Sequence, residues 1–399
     1  MTVAATAEAS RRSATVPVPG HYRWVVLGIG VAAQGSFAAA QGLAAMGPML
    51  QLQWDLRLSE VGVMLTSVSL GAAAFMFVWG VVVDRIGERA VLSCGLAAAA
   101  GATGAAAFAS SFPVVLGCLI VAGVFGGCTS SATGRAVMRV FSREQRGLAL
   151  GVRQTAPILG AAAGAAALPA VAAIHGTRAA LIVLAAAMLV GSLLSVVGLR
   201  GDSTPMCSGS ARLEVLTSRP LWRLNAAAMF GVTAQSTTSV YLVTFLVHEH
   251  HFGLHSAATV LTVCQLMGAG ARIGVGRWSD RCRSRIVPMR WLTGATAIGL
   301  LAVAAVMTGP VIVVYVLGGL VVVVAASSYG LYVAAAAEAA GVDRAGTATG
   351  LLNSCMYGAS AVAPIGIGAV VSVAGWQIGL IGLTAMSGIG WLLARRLPL

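Results

Sequence analysis

The residues best placed to do chemistry in this 399-residue chain are amides and arginines set inside long apolar stretches. Gln34 and Gln41 are seven apart, a spacing that puts both on one face of an α-helix, and Gln154, Gln235 and Asn353 sit in further apolar blocks. An amide donates and accepts at once. Such a group either hydrogen-bonds a passing solute or bonds a neighbouring helix and only holds a bundle together. Arg153 lies about 10 Å into its block at ~1.5 Å per residue, with no acid nearby on that block. Its planar fork suits a carboxylate; alternatively its long stem carries the charge back to the membrane interface. Both readings stand at this level. Tyr241, Gln265, Tyr329 and Tyr357 are weaker candidates of the same kind, and Arg272, closer to a block end, is expected to snorkel.

Other chemistries find no residues to carry them. Asp55, Glu60, Asp84, Glu88, Glu144, Asp280, Glu338 and Asp343 all fall at block ends or between blocks. Proton relays and the recognition of cationic drugs usually rest on a buried carboxylate, so a multidrug cation exporter is disfavoured. No carboxylate pair, metal cluster or nucleophile with its base is visible, which leaves an enzyme or a non-transporting receptor as remote alternatives. Cys94, Cys118, Cys128, Cys207, Cys264, Cys282 and Cys355 lack metal-type spacing and read as free thiols. An exposed, solvated turn accounts for His248, His250, His251 and His255 better than metal binding or pH sensing does. There is no phosphate-cradling G-x-x-x-x-G-K-[ST] segment and no lysine at all, which excludes an ordinary ATP-driven pump. No cofactor and no metal are expected.

The elements that must position these residues are membrane spans. The chain is 58% hydrophobic and 9% charged, with a mean hydropathy of +0.89, against roughly 25% charged residues in a soluble domain. Apolar blocks of the roughly 20 residues that cross a bilayer fall at 23–49, 59–83, 89–110, 114–140, 147–172 and 179–199, then at 222–247, 256–278, 290–308, 311–336, 345–374 and 377–397. The net charge of +13 sits at block ends and forms no single patch, so it serves topology and does not bind nucleic acid. With the N-terminus inside, all but Arg57 and Arg178 of the 25 basic residues fall on the cytoplasmic face. Residues 1–20 carry Arg11 and Arg12 but no cleavable signal, so the first block is expected to be an uncleaved anchor. Trp24, Trp54, Trp222, Trp278, Trp291 and Trp376 lie near block ends, where indole rings anchor at the headgroups.

The chain also repeats. Leu65, Thr66, Leu70, Ala73, Gly80, Asp84 and Arg85 align with Leu261, Thr262, Leu266, Ala269, Gly276, Asp280 and Arg281 at one constant offset. Gly147, Ala149 and Gly151 align with Gly346, Ala348 and Gly350, bringing Gln154 over Asn353, and Gln34 aligns with Gln235. Two six-span halves of like orientation imply an axis along the membrane normal and a site between them near the midplane.

The segment Gly80, Val81, Val82, Val83, Asp84, Arg85, Ile86, Gly87, Glu88, Arg89 resembles the G-x-x-x-D-R-x-G-[RK]-[RK] loop of the major facilitator superfamily, with Glu88 where that family usually has a base. Gly276, Arg277, Trp278, Ser279, Asp280, Arg281 resembles its second copy. The resemblance implies that Gly80, Asp84, Arg85, Gly87 and Arg89, with Gly276, Asp280 and Arg281, form two gating latches. In each, glycine allows close helix approach and a carboxylate faces the positive N-terminus of another helix. Asp84 would face the start of the eleventh span near 345–350, and Asp280 the start of the fifth near Gly147. The Asp-Arg pairs are alternatively ordinary punctuation after a hydrophobic helix. Arg135 and Arg139 would serve topology or the first latch. The same resemblance makes the first, fifth, seventh and eleventh spans border a central cavity holding Gln34, Gln41, Arg153, Gln154, Gln235, Asn353 and Tyr357.

The family's antiporter signature is only partly matched, by Gly151, Gly160 and Gly164, with Ala165, Leu168 and Pro169 in place of its later residues. The second span also lacks the arginine of the family's nitrate carriers. The expected architecture is therefore all-α, twelve spans in two six-helix bundles. It comprises a cytoplasmic tail at 1–22, bundles at 23–199 and 222–399, and a cytoplasmic linker at 200–221, in the inner membrane with both termini cytoplasmic. The expected activity is secondary transport of a small organic solute such as a monocarboxylate anion by alternating access, with a proton or other coupling ion. An efflux carrier for neutral or amphiphilic drug-like compounds is the alternative. The expected partners are the small-molecule substrate and the lipid bilayer, with no nucleic acid, and the chain is expected to act as a monomer.

Overall fold

A computed structural model describes residues 20–56, 58–200, 215–250 and 254–397. Arg11, Arg12, Arg57, Cys207, His251 and most of the linker lie outside the described residues, as do the side chains of His248, His250 and His255. The described chain is almost wholly helical. That is what a bilayer demands, since a helix satisfies its own backbone groups where no water can.

Fourteen α-helices follow in order: α1 (Tyr22–Ala38), α2 (Gly47–Trp54), α3 (Leu58–Ile86), α4 (Glu88–Ala107), α5 (Phe112–Gly126), α6 (Cys128–Val140), α7 (Arg146–Arg153), α8 (Ala156–Gly198), α9 (Arg219–His250), α10 (Leu254–Arg281), α11 (Ile286–Ala305), α12 (Val311–Ser327), α13 (Tyr329–Ala340) and α14 (Ala345–Arg395). Among the described residues nine helical stretches are long and apolar enough to cross a membrane. Two of the nine are double-length, because α8 turns at Gly176 and α14 at Gly375 without leaving the helical assignment. Adding the 32-residue α9 gives twelve spans. The first combines α1, a 3-10 stretch Ala39–Met46 and α2; the fourth combines α5 and α6; the fifth is α7 with the first part of α8; the tenth is α12 with α13.

The turns repeat as the sequence does. Gly176 (φ 82°, ψ 165°) and Gly375 (φ 82°, ψ 169°) share a backbone shape that only glycine adopts easily, and their offset is that of Gly147 and Gly346. Gly87 (φ 85°) and Arg283 (φ 50°) both lie in the left-handed region at the offset of Asp84 and Asp280.

Two expectations need correction. Gln34 and Gln41 do not share a face, because the 3-10 winding from Ala39 turns the chain further per residue than an α-helix does; Gln34 is buried and Gln41 exposed. Trp24, Trp222, Trp278 and Trp291 are exposed, as interfacial anchors are, but Trp376 packs inward with its ring 5.9 Å from that of Tyr241 and 5.3 Å from that of Phe245.

Candidate functional site

The two halves meet through a buried polar ring. Arg153 closes α7 at the bottom of the small-residue face that lets α7 press on α10, where a Cβ on Gly151 would run into the Arg272 carbonyl. Its side chain is fully buried and turns toward α6, donating from Nη1 to the Ser130 carbonyl at 2.7 Å and to Thr133 Oγ1 at 2.8 Å. It therefore does not snorkel. Arg272 does not snorkel either, contrary to expectation. It is 5% exposed and crosses to the other half, donating from Nη1 to the Gln154 carbonyl at 2.7 Å and from Nε to the Ala326 carbonyl at 2.9 Å.

The circuit closes through the eleventh span. Asn353 Nδ2 donates to Ser130 Oγ at 2.8 Å, and Tyr329 donates to Asn353 Oδ1 at 3.0 Å. The Arg272 guanidinium stands 5.4 Å from the Tyr329 ring centre, within the range of cation–π attraction. Arg153, Ser130, Asn353, Tyr329, Arg272 and Gln154 thus form one loop that passes between the halves twice.

What the loop lacks is a counter-charge. Among the described residues neither arginine makes an ion pair. The titratable groups beside both are the phenols of Tyr329 and Tyr357. Arg153 Nε and Nη2 and Gln154 Nε2 are buried donors with no acceptor among the described residues. Isolated buried cations are expensive, and this arrangement holds two of them with three donors unanswered among the described residues. Gln34 is buried with Oε1 unanswered, while Gln235 is half-buried.

Both latch segments lie at the arginine-rich end. Asp84 accepts from the Gly346 and Thr347 backbone N–H groups at 3.1 and 2.7 Å and from Thr347 Oγ1 at 2.7 Å, all at the start of α14. Asp280 accepts from the Gly147 and Leu148 N–H groups at 2.9 and 2.8 Å, at the start of α7. In each case a carboxylate meets unpaired amide protons and the positive end of a helix. Glycine makes the approach possible: a Cβ on Gly80 would collide with the Gly346 backbone, and one on Gly276 with the Gly147 backbone.

Charge networks surround both contacts. Arg135 pairs with Asp84 at 3.2 Å and Glu88 at 2.6 Å, and Arg139 pairs with Glu88 at 3.1 Å. Arg285 pairs with Asp280 at 2.5 Å and Glu338 at 2.8 Å. Burial works against the charge of Arg285, but Glu338 and Asp280 outweigh it and hold the guanidinium above its ordinary pKa. Arg85, Arg89 and Arg281 enter none of these pairs; Arg85 and Arg281 are exposed, and Gly87 supplies the turn after α3. Sequence reasoning missed Ser130, Glu88 and Arg285. Glu88 had a signal, being the one acid where a base was expected.

Comparison with known proteins follows this geometry. A sequence model of the Major Facilitator Superfamily matches residues 27–364. Uncharacterized MFS-type transporters of two Mycobacterium tuberculosis strains are 32% identical over 384 residues, covering 94% of this chain and 86% of theirs. Among solved structures, the Escherichia coli fucose:proton symporter FucP superimposes with a TM-score of 0.75 at 15% identity, covering 94% of this chain and 99% of its own. The human organic anion transporter does so with 0.73 at 16% (94% and 100%), and the proton:xylose symporter XylE with 0.74 at 13% (96% and 97%).

Proposed function

Since the chain belongs to the major facilitator superfamily and is a multi-pass membrane transporter, we propose that its substrate is a small organic anion, such as a monocarboxylate, held by the polar ring between its halves. The observation that carries this reading is the pair of buried guanidinium groups, Arg153 on one half and Arg272 on the other, with no carboxylate beside them and with donors of Arg153 and Gln154 unanswered among the described residues. A carboxylate oxygen within reach of those donors gains charge-assisted hydrogen bonds, about twice as strong as neutral ones. A sugar would leave both charges uncompensated. The human organic anion transporter shares this fold, and an anionic substrate agrees with the charge of the ring.

Binding between halves gives the anion leverage on the transport cycle. The ring is made of bonds that cross from one half to the other, so a ligand that replaces some of them alters the balance between closed and open arrangements by its differential affinity for the two. The halves are taken as 23–199 and 222–399, with the linker 200–221 and both termini cytoplasmic by the positive-inside rule. The closed, arginine-rich end then faces the cytoplasm, as in an outward-facing state.

The test is uptake of lactate, pyruvate and benzoate by protein reconstituted in liposomes, with Arg153→Ala and Arg272→Ala alongside. Loss of a charged hydrogen-bond partner of about 1.5–3 kcal/mol predicts roughly 10- to 100-fold lower kcat/KM for each variant. Transport of a neutral sugar by the wild type, undiminished in Arg153→Ala, overturns the reading.

A further inference from the structure

A cavity of about 60 Å³ lies between α9, α11, α12 and both arms of α14, and among the described residues its lining comes from the C-terminal half alone. It is apart from the polar ring, none of whose members lines it. Natural interiors hold few voids larger than a water molecule, and an apolar one stays dry, so its walls forgo contact with any partner atom. Leu242, Leu300, Val321, Ile367 and Leu383 supply hydrocarbon walls, no charged residue among those described contributes, and Trp376 lies against Tyr241 and Phe245 in the aromatic part of the lining. On α9 the lining runs from Thr237 to Leu246, about 13 Å at ~1.5 Å per residue, so the space is elongated along the helices.

The polar side chains in the lining are those of Thr237, Thr238, Tyr241 and Trp376, and the Tyr241 hydroxyl is already bonded to the Pro364 carbonyl. Thr237 is 1% exposed, and its Oγ1 has no hydrogen-bond partner among the described residues, whereas Thr238 beside it bonds back to the Ala234 carbonyl in the usual helical way. A buried hydroxyl without a partner is costly, and this one lines the cavity. We propose that the C-terminal half carries a second binding site, for an uncharged alkyl chain bearing a single hydroxyl or carbonyl group, with the chain along the apolar walls and the polar group on Thr237 Oγ1. The site stands independently of the anion reading, since it needs neither arginine. The chemistry is shared by a free long-chain alcohol and by the acyl chain of a membrane lipid next to its ester.

Bromine-terminated n-alkanols of increasing length, added to the full chain in nanodiscs at equal membrane mole fraction, probe the site through quenching of Trp376. The Trp376 signal is isolated as the difference between wild type and Trp376→Phe. Partition into bulk lipid rises steadily with chain length, whereas a walled cavity fills. The expected result is saturable quenching that declines beyond a cut-off length and is lost in Gly318→Leu. Gly318 lies in the wall, and a Cβ there meets only Leu242 Cδ1 at 3.8 Å, so a side chain starts into the space from an unstrained position. Thr237→Val removes only a hydroxyl that has no partner among the described residues, and is expected to fold as the wild type does while weakening alkanol binding about fivefold. The same measurement with a phospholipid brominated on one acyl chain separates the sources: quenching sensitive to Gly318→Leu identifies the bilayer's own chains as the guest, and sensitivity with the alkanols alone identifies a free amphiphile. Quenching by both probes that neither saturates nor responds to Gly318→Leu and Thr237→Val overturns the site.

Discussion

At the scale of single residues, the informative positions are those where charge is buried with or without its opposite. Glu88 departs from the family's usual base, and the structure gives the reason: it is 4% exposed and answers both Arg135 and Arg139. Breaking a buried pair by removing one partner costs about 3–5 kcal/mol. Glu88→Arg, which restores the commoner residue type, is therefore expected to lower the melting temperature sharply by setting a third cation against two, with Glu88→Gln intermediate. A melting temperature for Glu88→Arg equal to that of the wild type would show that the pairs contribute nothing. Arg153 and Arg272 are the opposite case. Residue type alone marked Arg153 as a candidate, because an arginine deep in an apolar block is rare. It could not tell that Arg272 also turns inward, since that depends on the carbonyls of Gln154 and Ala326 being within its reach, a matter of how α10 packs on α7 and α12.

At the scale of elements, the two halves are joined by pairs of helix ends. Asp84 on α3 and the first turn of α14, and Asp280 on α10 with the first turn of α7, each join opposite halves at the same end of the molecule. A charge facing a partly buried helix N-terminus is worth up to about 2 kcal/mol. Asp84→Asn is thus expected to shift the closed-to-open ratio by roughly tenfold and to slow uptake while leaving membrane insertion intact. Gly80→Val acts on the same contact by a different route, wedging α3 from the Gly346 backbone, and is expected to slow uptake at least as much. An unaltered rate in both variants would remove the latches from the transport cycle. These pairings were legible because glycine and aspartate recur at fixed spacing in both halves. The 3-10 stretch Ala39–Met46 and the turn between α7 and α8 were not. Ala- and Gly-rich sequence fits α and 3-10 winding almost equally, and only the packing of Gly35 and Ala39 against Gly160 and Gly164 decides between them.

At the scale of the whole molecule, the twelve spans and the twofold repeat were written in hydropathy and offset, since a bilayer admits few other solutions for so apolar a chain. The state of the carrier was not, because one sequence must serve every state of the cycle. The contacts between halves described here gather at the arginine-rich end: Asp84 with α14, Asp280 with α7, Ser354 Oγ with the Ala73 carbonyl at 3.3 Å, and Arg272 with the Gln154 carbonyl. If arginines mark the cytoplasm, that closed end is the inner one. Cys282 tests the assignment, since it follows the Asp280 latch and is an exposed free thiol. In a variant that keeps Cys282 as its only cysteine, a membrane-impermeant maleimide is expected to label inside-out vesicles and to leave intact cells unlabelled. Labelling of intact cells would place the closed end outside and turn the structure into an inward-facing state. The ring would keep its chemistry in that case, but in this state Arg153 and Arg272 would meet their anion from the cytoplasm.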